Sequence, residues 1–243
     1  MSGPASIDVA FTPESARSTH VAVVVDVLRA TSTIVAALEA GYRNVLCTGT
    51  AERARELAGP GRRLAGERGC LAIEGFDRGN SPNFDDEEVA EELVLCTTNG
   101  TPALLRAVAC ADEVLVGSLL NLKAVVAAIP SGRELTVICS GTDGRFALED
   151  AYAAGRIVDL LPGPRSDSAR AAEQLAGAYP DPWGPLTESA GGAALRSTGQ
   201  ASDIPACARE SLSAIVPRAE PGPGDIAVVS AQVINRQSTM QIA

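Results

Sequence analysis

The chain reads as an α/β protein: a sheet with helices on both faces and a mostly helical C-terminal third. Three observations predict this. Apolar runs of strand length alternate with stretches whose apolar residues are spaced for one face of a helix. Runs such as Val21, Val23, Val24 and Val25 are nearly continuous, which suits strands covered on both faces. Between strand and helix one kind of loop recurs, rich in Gly, Ser, Thr and Asn.

The elements follow in order. Residues 1–19 are polar and form an arm with a strand at Ile7 to Phe11. His20 to Asp26 is a buried strand, and Ile34, Val35 and Leu38 mark the next helix, which ends near Gly41. Asn44 to Thr48 is a strand and Ala51 to Ala58 a helix stopped by Gly59-Pro60-Gly61. A short strand at Arg63 to Ala65 leads into Gly66-Glu67-Arg68-Gly69-Cys70. The long loop Ile73 to Asn83 is of the kind that often carries function. Asp85 to Glu92 reads as a solvated acidic helix face. Leu93 to Cys96 is a strand. Thr101 then caps a helix with Pro102 at its first position. Strands at Glu113 to Val116 and Leu135 to Cys139 precede helices at Leu122 to Ile129 and Leu148 to Leu161. From Pro162 the composition shifts, with helices at Arg165 to Gly177, Leu186 to Leu195 and Ile204 to Leu212. A strand returns at Ile226 to Ser230. The division expected is an α/β core at 1–161 and a helical cap or second lobe at 162–243.

The 243 residues, 46% of them apolar, are enough for a sizeable core. A net charge of -10 and 3% aromatics argue against a partner that is nucleic acid or an anionic membrane. An acidic protein that binds an anion must build a local positive site, so arginines in loops are informative. Six cysteines show no CxxC spacing, which fits free thiols in a reducing cytoplasm. No run approaches a membrane span and no secretory leader is legible.

The recurring loops lie at Asp26–Thr33, Thr97–Thr101, Gly117–Asn121 and Ser140–Gly144. On parallel strands they converge on one sheet edge, where open α/β sheets bind ligands. Their hydroxyls and N–H groups suit a phosphate or sulfonate. Helix capping wants the same residue types, and for one loop alone it is the better explanation. Four loops together, with Arg29 and Arg68 in the neighbouring motifs, favour an anion site. Asp26 ends a buried strand, where its carboxylate needs an arginine, N–H donors or a metal. Magnesium takes few carboxylates, so Asp26 and one or two other acids suffice. Glu149 and Asp150 sit in the first turn of a helix, which the dipole favours without any metal. Cys139 and Arg145 have the C-x5-R spacing of cysteine phosphatases, but no histidine precedes the cysteine. His20 is the only histidine, which nearly excludes a multi-histidine zinc site or a histidine-based triad. Nucleotide-binding glycine fingerprints are missing.

Seven segments resemble, in order, the 2-phosphosulfolactate phosphatase family. They are Asp26-Val-Leu-Arg-Ala-Thr-Ser-Thr33, Gly66-Glu-Arg-Gly69, Gly75-Phe-Asp-Arg-Gly-Asn-Ser-Pro82, Thr97-Thr-Asn-Gly-Thr101, Gly117-Ser-Leu-Leu-Asn121, Cys139-Ser-Gly141 and Glu149-Asp150 with Ala154-Gly155. The match covers residues 20–160, with an echo at Asp203 to Cys207. Cys70 and Ser140 depart from the family pattern. The resemblance implies a three-layer α/β/α Rossmann-like fold and a Mg2+-dependent phosphatase. Its substrate would be 2-phospho-3-sulfolactate, a small anionic phosphorylated acid, and its product 3-sulfolactate on a route to coenzyme M. On that reading Asp26, Glu67 and Asp150 hold Mg2+, and Arg29 and Arg68 clamp the phosphate or sulfonate. Thr31, Ser32, Asn80, Ser81, Thr98, Asn99, Gly100, Thr101, Ser118 and Asn121 contact the remaining oxygens, and water attacks directly. Two alternatives stay open: a cysteine phosphatase using Cys139 and Arg145, and a non-catalytic anion-binding protein. A homo-oligomer is also left open.

Overall fold

A computed structural model describes residues 3–84 and 89–231. The expected acidic face at Asp85 to Glu88 lies outside them. Glu92 begins a strand and bonds Arg62 and Asn44. The described residues form ten strands: β1 (Ser6–Ala10), β2 (Thr19–Val25), β3 (Asn44–Thr48), β4 (Arg62–Arg68), β5 (Leu71–Ala72), β6 (Glu92–Cys96), β7 (Ala111–Gly117), β8 (Glu134–Cys139), β9 (Pro217–Pro221) and β10 (Ile226–Ala231). They also form nine α-helices: α1 (Ala30–Ala40), α2 (Ala51–Glu56), α3 (Gly100–Cys110), α4 (Leu122–Ala128), α5 (Leu148–Asp159), α6 (Asp167–Gly177), α7 (Trp183–Glu188), α8 (Ala190–Ser197) and α9 (Asp203–Cys207).

The strands join in the order β1-β8-β2-β7-β9-β10-β3-β6-β4-β5. The first four are mutually parallel, and so are β3, β6 and β4. The antiparallel pair β9–β10 separates these groups and reverses the direction between them. This α/β sheet is therefore mixed, not all parallel as the converging loops suggested. Each strand step adds a twist of about 20–25°, so five steps from β2 to β6 turn the second group by roughly 100°. The carboxyl ends of β2 and β6 can thus meet despite their opposite pairing sense.

Packing follows the two-residue period of the strands. Ala22 and Val24 of β2, Val116 of β7, Val45 of β3 and Leu95 of β6 face one core filled by Ile34 and Leu38 of α1 and Leu104 of α3. Val21, Val23 and Val25 turn the other way, onto Ile157 of α5, Val125 of α4 and Ala172 of α6. Leu46, Leu64 and Val94 pack on Ala54 of α2. Helices therefore cover both faces, as expected of a layered α/β fold.

The break at residue 161 does not separate two lobes. α6 lies along α5, where Gly155 packs so closely on the Ala172 carbonyl that a Cβ would stand 2.0 Å from it. The returning strand, expected near 226–230, is β10 in the middle of the sheet, beside β9, which the sequence did not signal. Among the described residues only the region of α7–α9 behaves as a cap: Leu186, Leu195 and Ile204 close over Val27 and Leu119 beyond the ends of β2 and β7.

Candidate active site

The cleft starts at Asp26, the residue after β2. Its carboxylate is buried, and Oδ1 accepts the Ala30 N–H at 3.1 Å. The turn is closed by Thr31, whose hydroxyl accepts the Asp26 N–H at 3.0 Å and donates to its carbonyl at 2.8 Å. Ser32 donates to the Val27 carbonyl at 2.9 Å. The same closure recurs after β6, where Thr97 and Thr101 exchange hydroxyl and N–H bonds of 3.0 and 3.1 Å. After β7, Asn121 Oδ1 accepts the Ser118 N–H at 2.9 Å, and its Nδ2 ties the Val116 and Ile215 carbonyls. Thr31, Ser32, Thr101, Ser118 and Asn121 therefore engage their own loops, and none of them lines the cleft. For these five, closing the turn between strand and helix explains the residue type, although none of them makes a side-chain cap bond to its helix, so the structure gives no support to their expected contact with substrate oxygens. Helix α3 starts one residue before the expected cap, with Asn99 at the cap position.

The cleft, of about 80 Å3, is lined by Asp26, Leu28, Arg29, Glu67, Cys70, Asn80, Asn99, Thr142 and three small residues of α8, Ala190, Gly191 and Ala194. Gly100 packs directly on Asp26 and Ala30: a Cβ there would stand 2.4 Å from Asp26 Oδ2 and 2.3 Å from Ala30 Cβ. The starts of α1 and α3 thus lie against each other and against Asp26, aiming two helix N-termini at one place.

Glu67, at the end of β4, accepts the N–H groups of Thr98 at 2.7 Å and Cys70 at 3.0 Å. Asn99 Oδ1 accepts the Asp143 N–H at 3.1 Å, leaving its Nδ2 to donate. Asn80 is buried, and its Oδ1 has no partner. Ser81 lies just outside and donates to Asp203 at 2.8 Å.

Both arginines differ from expectation. Arg29 lines the cleft but is already paired: it donates to Asp203 at 2.6 Å and to the Cys70 carbonyl at 3.0 Å, with both side chains of the ion pair buried. It is held in place rather than waiting free. Arg68 does not reach the cleft at all. It follows Glu67 on a strand, so it points to the opposite face, where it donates to the Gly49 carbonyl and Cys96 Sγ. A clamp built from Arg29 and Arg68 together is therefore ruled out by the alternation of β4.

Behind Asp26 lie two further acids at the start of α5. Asp150, 2% exposed, accepts bonds from the Val27 N–H, the Ser140 hydroxyl and the Gly141 N–H at 2.9, 3.0 and 3.0 Å. Its oxygens serve the protein, and it does not line the cleft, so the structure places it as a support rather than as the third metal ligand expected. Glu149 is buried with Oε2 unpartnered, and Gly191 of α8 lies so close that a Cβ would stand 2.2 Å from Oε1.

These acids raise one another's proton affinity. Asp26 is pushed up to about 6 by burial, partly offset by the Ala30 and Ser140 hydrogen bonds, with Glu67 and Glu149 adding repulsion. Burial likewise raises Asp150 well above the usual carboxylate range, and Asp26 and Glu149 push it further. Burial also raises Glu149. The Ser140 hydroxyl has a single proton to give and donates it to Asp150, so it does not neutralise the negative charge that the buried acids share.

The cysteine route fails on geometry. Cys139 is 1% exposed among Val25, Val137 and Ala154, and burial with the nearby Asp150 and Glu149 pushes its thiol well up. A nucleophile needs the thiolate, which this site suppresses. Arg145 is exposed on the loop beyond.

Comparison with known proteins bears on the same residues. The family model described as 2-phosphosulpholactate phosphatase matches residues 9–222. The chain belongs to that family. It is accordingly a phosphoric monoester hydrolase. A Deinococcus radiodurans protein described as a probable 2-phosphosulfolactate phosphatase is 42% identical over 213 residues, 83% of this chain and 88% of its own. Proteins of the same description from Thermus thermophilus and Carboxydothermus hydrogenoformans are 38% and 36% identical, over 81% and 93% of this chain and 86% and 98% of theirs. The match extends past the seven segments to take in the α7–α9 cap and Asp203, which sequence reasoning had left without a role.

Proposed function

We propose that the chain hydrolyses 2-phospho-3-sulfolactate to 3-sulfolactate and inorganic phosphate in a Mg2+-dependent reaction, as a step toward coenzyme M in the cytoplasm. The observation that carries this reading is the set of buried acids around Asp26, uncompensated by either neighbouring arginine, at the joint N-termini of α1 and α3.

A divalent cation fits that set. Among the described residues no three His, Cys, Asp or Glu side chains converge as a ready metal cage. Magnesium does not need one, because it keeps waters and takes substrate phosphate oxygens beside one or two carboxylates. Asp26 and Glu67, which share the cleft, would hold it. When bound, Mg2+ supplies charge neutralisation at the transferring phosphoryl group.

The chain's own groups do the rest. Arg29, fixed by Asp203 and the Cys70 carbonyl, orients one anionic group of the substrate without first having to order itself. Asn99 Nδ2 and the start of α3 donate to another. Asn80 Oδ1, buried without a donor, accepts a hydrogen bond from water or from the substrate's hydroxyl after cleavage. Asp150 holds the turn behind Asp26 by accepting the Val27 N–H and the Ser140 hydroxyl. Water attacks phosphorus directly, since the buried Cys139 cannot.

Phosphate release tests the substrate. With Mg2+ present, 2-phosphosulfolactate should be hydrolysed with a kcat/KM at least about 100-fold above those of phospholactate and phosphoenolpyruvate, because a buried site built for an extra anion is left unpaired without it. Equal rates on all three would discard the sulfonate as a recognition element. Ligand-induced stabilisation with no turnover would discard the phosphatase.

A further inference from the structure

Cys70 lines the cleft in a backbone conformation that suits glycine better. Its φ of 69° lies in the left-handed region, which glycine adopts freely and other residues adopt at a cost. The conformation itself is needed: it lets the Cys70 N–H donate to Glu67 and its carbonyl accept from Arg29, both at 3.0 Å. Glycine would serve both bonds without penalty, so the thiol is what remains to be explained. It is half-buried, lines the cleft as Leu28 does, and feels the charges of Arg29, Glu67 and Asp26. Burial raises its pKa above the ordinary value, so it is a neutral, polarizable group among charged ones. What it offers there is volume and contact, not nucleophilicity.

We infer that Cys70 is a specificity-determining residue whose side chain forms a wall of the cleft and limits the length of the phosphorylated acid seated beside Asp26. This rests on the phosphatase reading above. In a cleft of about 80 Å3, one sulfur atom is a substantial fraction of the space.

The test compares 2-phosphosulfolactate with its homologue carrying one more methylene before the sulfonate, in the wild-type, Cys70→Gly and Cys70→Ala proteins. One methylene in a closed pocket is worth about 10–200-fold, so the wild type should prefer the shorter acid by at least about 10-fold in kcat/KM. Cys70→Gly should reduce that ratio to below about threefold, with Cys70→Ala between. An unchanged ratio overturns the inference. So does an equal loss on both substrates, which would mean that Cys70 serves only its loop. A second measurement does not depend on turnover. Labelling by iodoacetamide is read by peptide mass at Cys70 and at Cys110, the other cysteine that is not fully buried. Inorganic phosphate with 3-sulfolactate should slow labelling at Cys70 by about fivefold or more and leave Cys110 unchanged. Equal labelling of Cys70 with and without those anions overturns the wall even in an active enzyme. Protection of Cys70 in a protein that hydrolyses neither substrate keeps the wall and overturns the phosphatase reading instead.

Discussion

Replacing Asp26 by Asn should make the protein more stable while removing its activity. The carboxyl is raised from 3.8 to about 6, chiefly by burial. An acid whose folded pKa is raised holds its proton longer in the folded state, so stability falls as pH climbs from about 4 to about 6 and then levels off. The full penalty above pH 6 is about 3 kcal/mol, from two units at 1.36 kcal/mol each. Asn loses the charge-assisted part of the Ala30 bond, worth about 1 kcal/mol, leaving a net gain of about 2 kcal/mol. For a chain of this size that is a rise in Tm of about 4–8 °C. The assay is thermal unfolding of both proteins in EDTA at pH 8, 5 and 4. The gain should be largest at pH 8, about a third as large at pH 5, and absent or reversed near pH 4. Adding Mg2+ at pH 8 should then stabilise the wild type and not the variant. A variant that is less stable at pH 8, or a difference that ignores pH, would refute the argument that an uncompensated carboxylate is held at this position.

Three further outcomes follow from the same geometry. Arg29→Ala should lower kcat/KM by about 100-fold or more, whereas Arg68→Ala should change it by less than about threefold, both read by phosphate release. Gly100→Ala should destabilise by about 2 kcal/mol or more and depress the rate, because its Cβ meets Ala30 and Asp26 at 2.3 and 2.4 Å; urea unfolding and turnover check this. Cys139→Ser should keep the wild-type rate within about threefold per mole of folded enzyme, since the thiol takes no part in the chemistry.

Much of the fold could be read from the chain because its strands are buried on both faces. The run from Val21 to Val25 and the helix after it needed no tertiary information, and Gly41, at φ 113°, ends α1 where a glycine was expected to. β9 could not be read. Pro217-Arg-Ala-Glu-Pro221 carries two prolines and two charges, and it joins β7 through only two residue pairs, with Arg218 reaching back to Glu113. Such a segment looks like an edge, yet it sits mid-sheet because β10 pairs with it along its whole length.

The site was legible where chemistry and geometry coincide. Asp26 stood out because a carboxylate ending an apolar strand needs a partner. The hydroxyls of Thr31, Thr101 and their kind were ambiguous, since capping and anion binding want the same residues, and the structure shows them doing neither: they bond back to Asp26 and Thr97 and close the turns. Arg68 was avoidable: two adjacent strand residues cannot both face the cleft, and Glu67 does. Asp203, Cys70 and Thr142 reach the site from distant parts of the chain, and only the folded arrangement shows Asp203 pairing with Arg29.

Phosphate release from 2-phosphosulfolactate by the wild-type and Asp26→Asn proteins, each in Mg2+ and in EDTA, tests the central claim most directly. The account predicts release from the wild type in Mg2+ and none, within background, from the other three combinations. Release that persists in EDTA, or an Asp26→Asn protein that keeps the Mg2+-dependent rate, would contradict it.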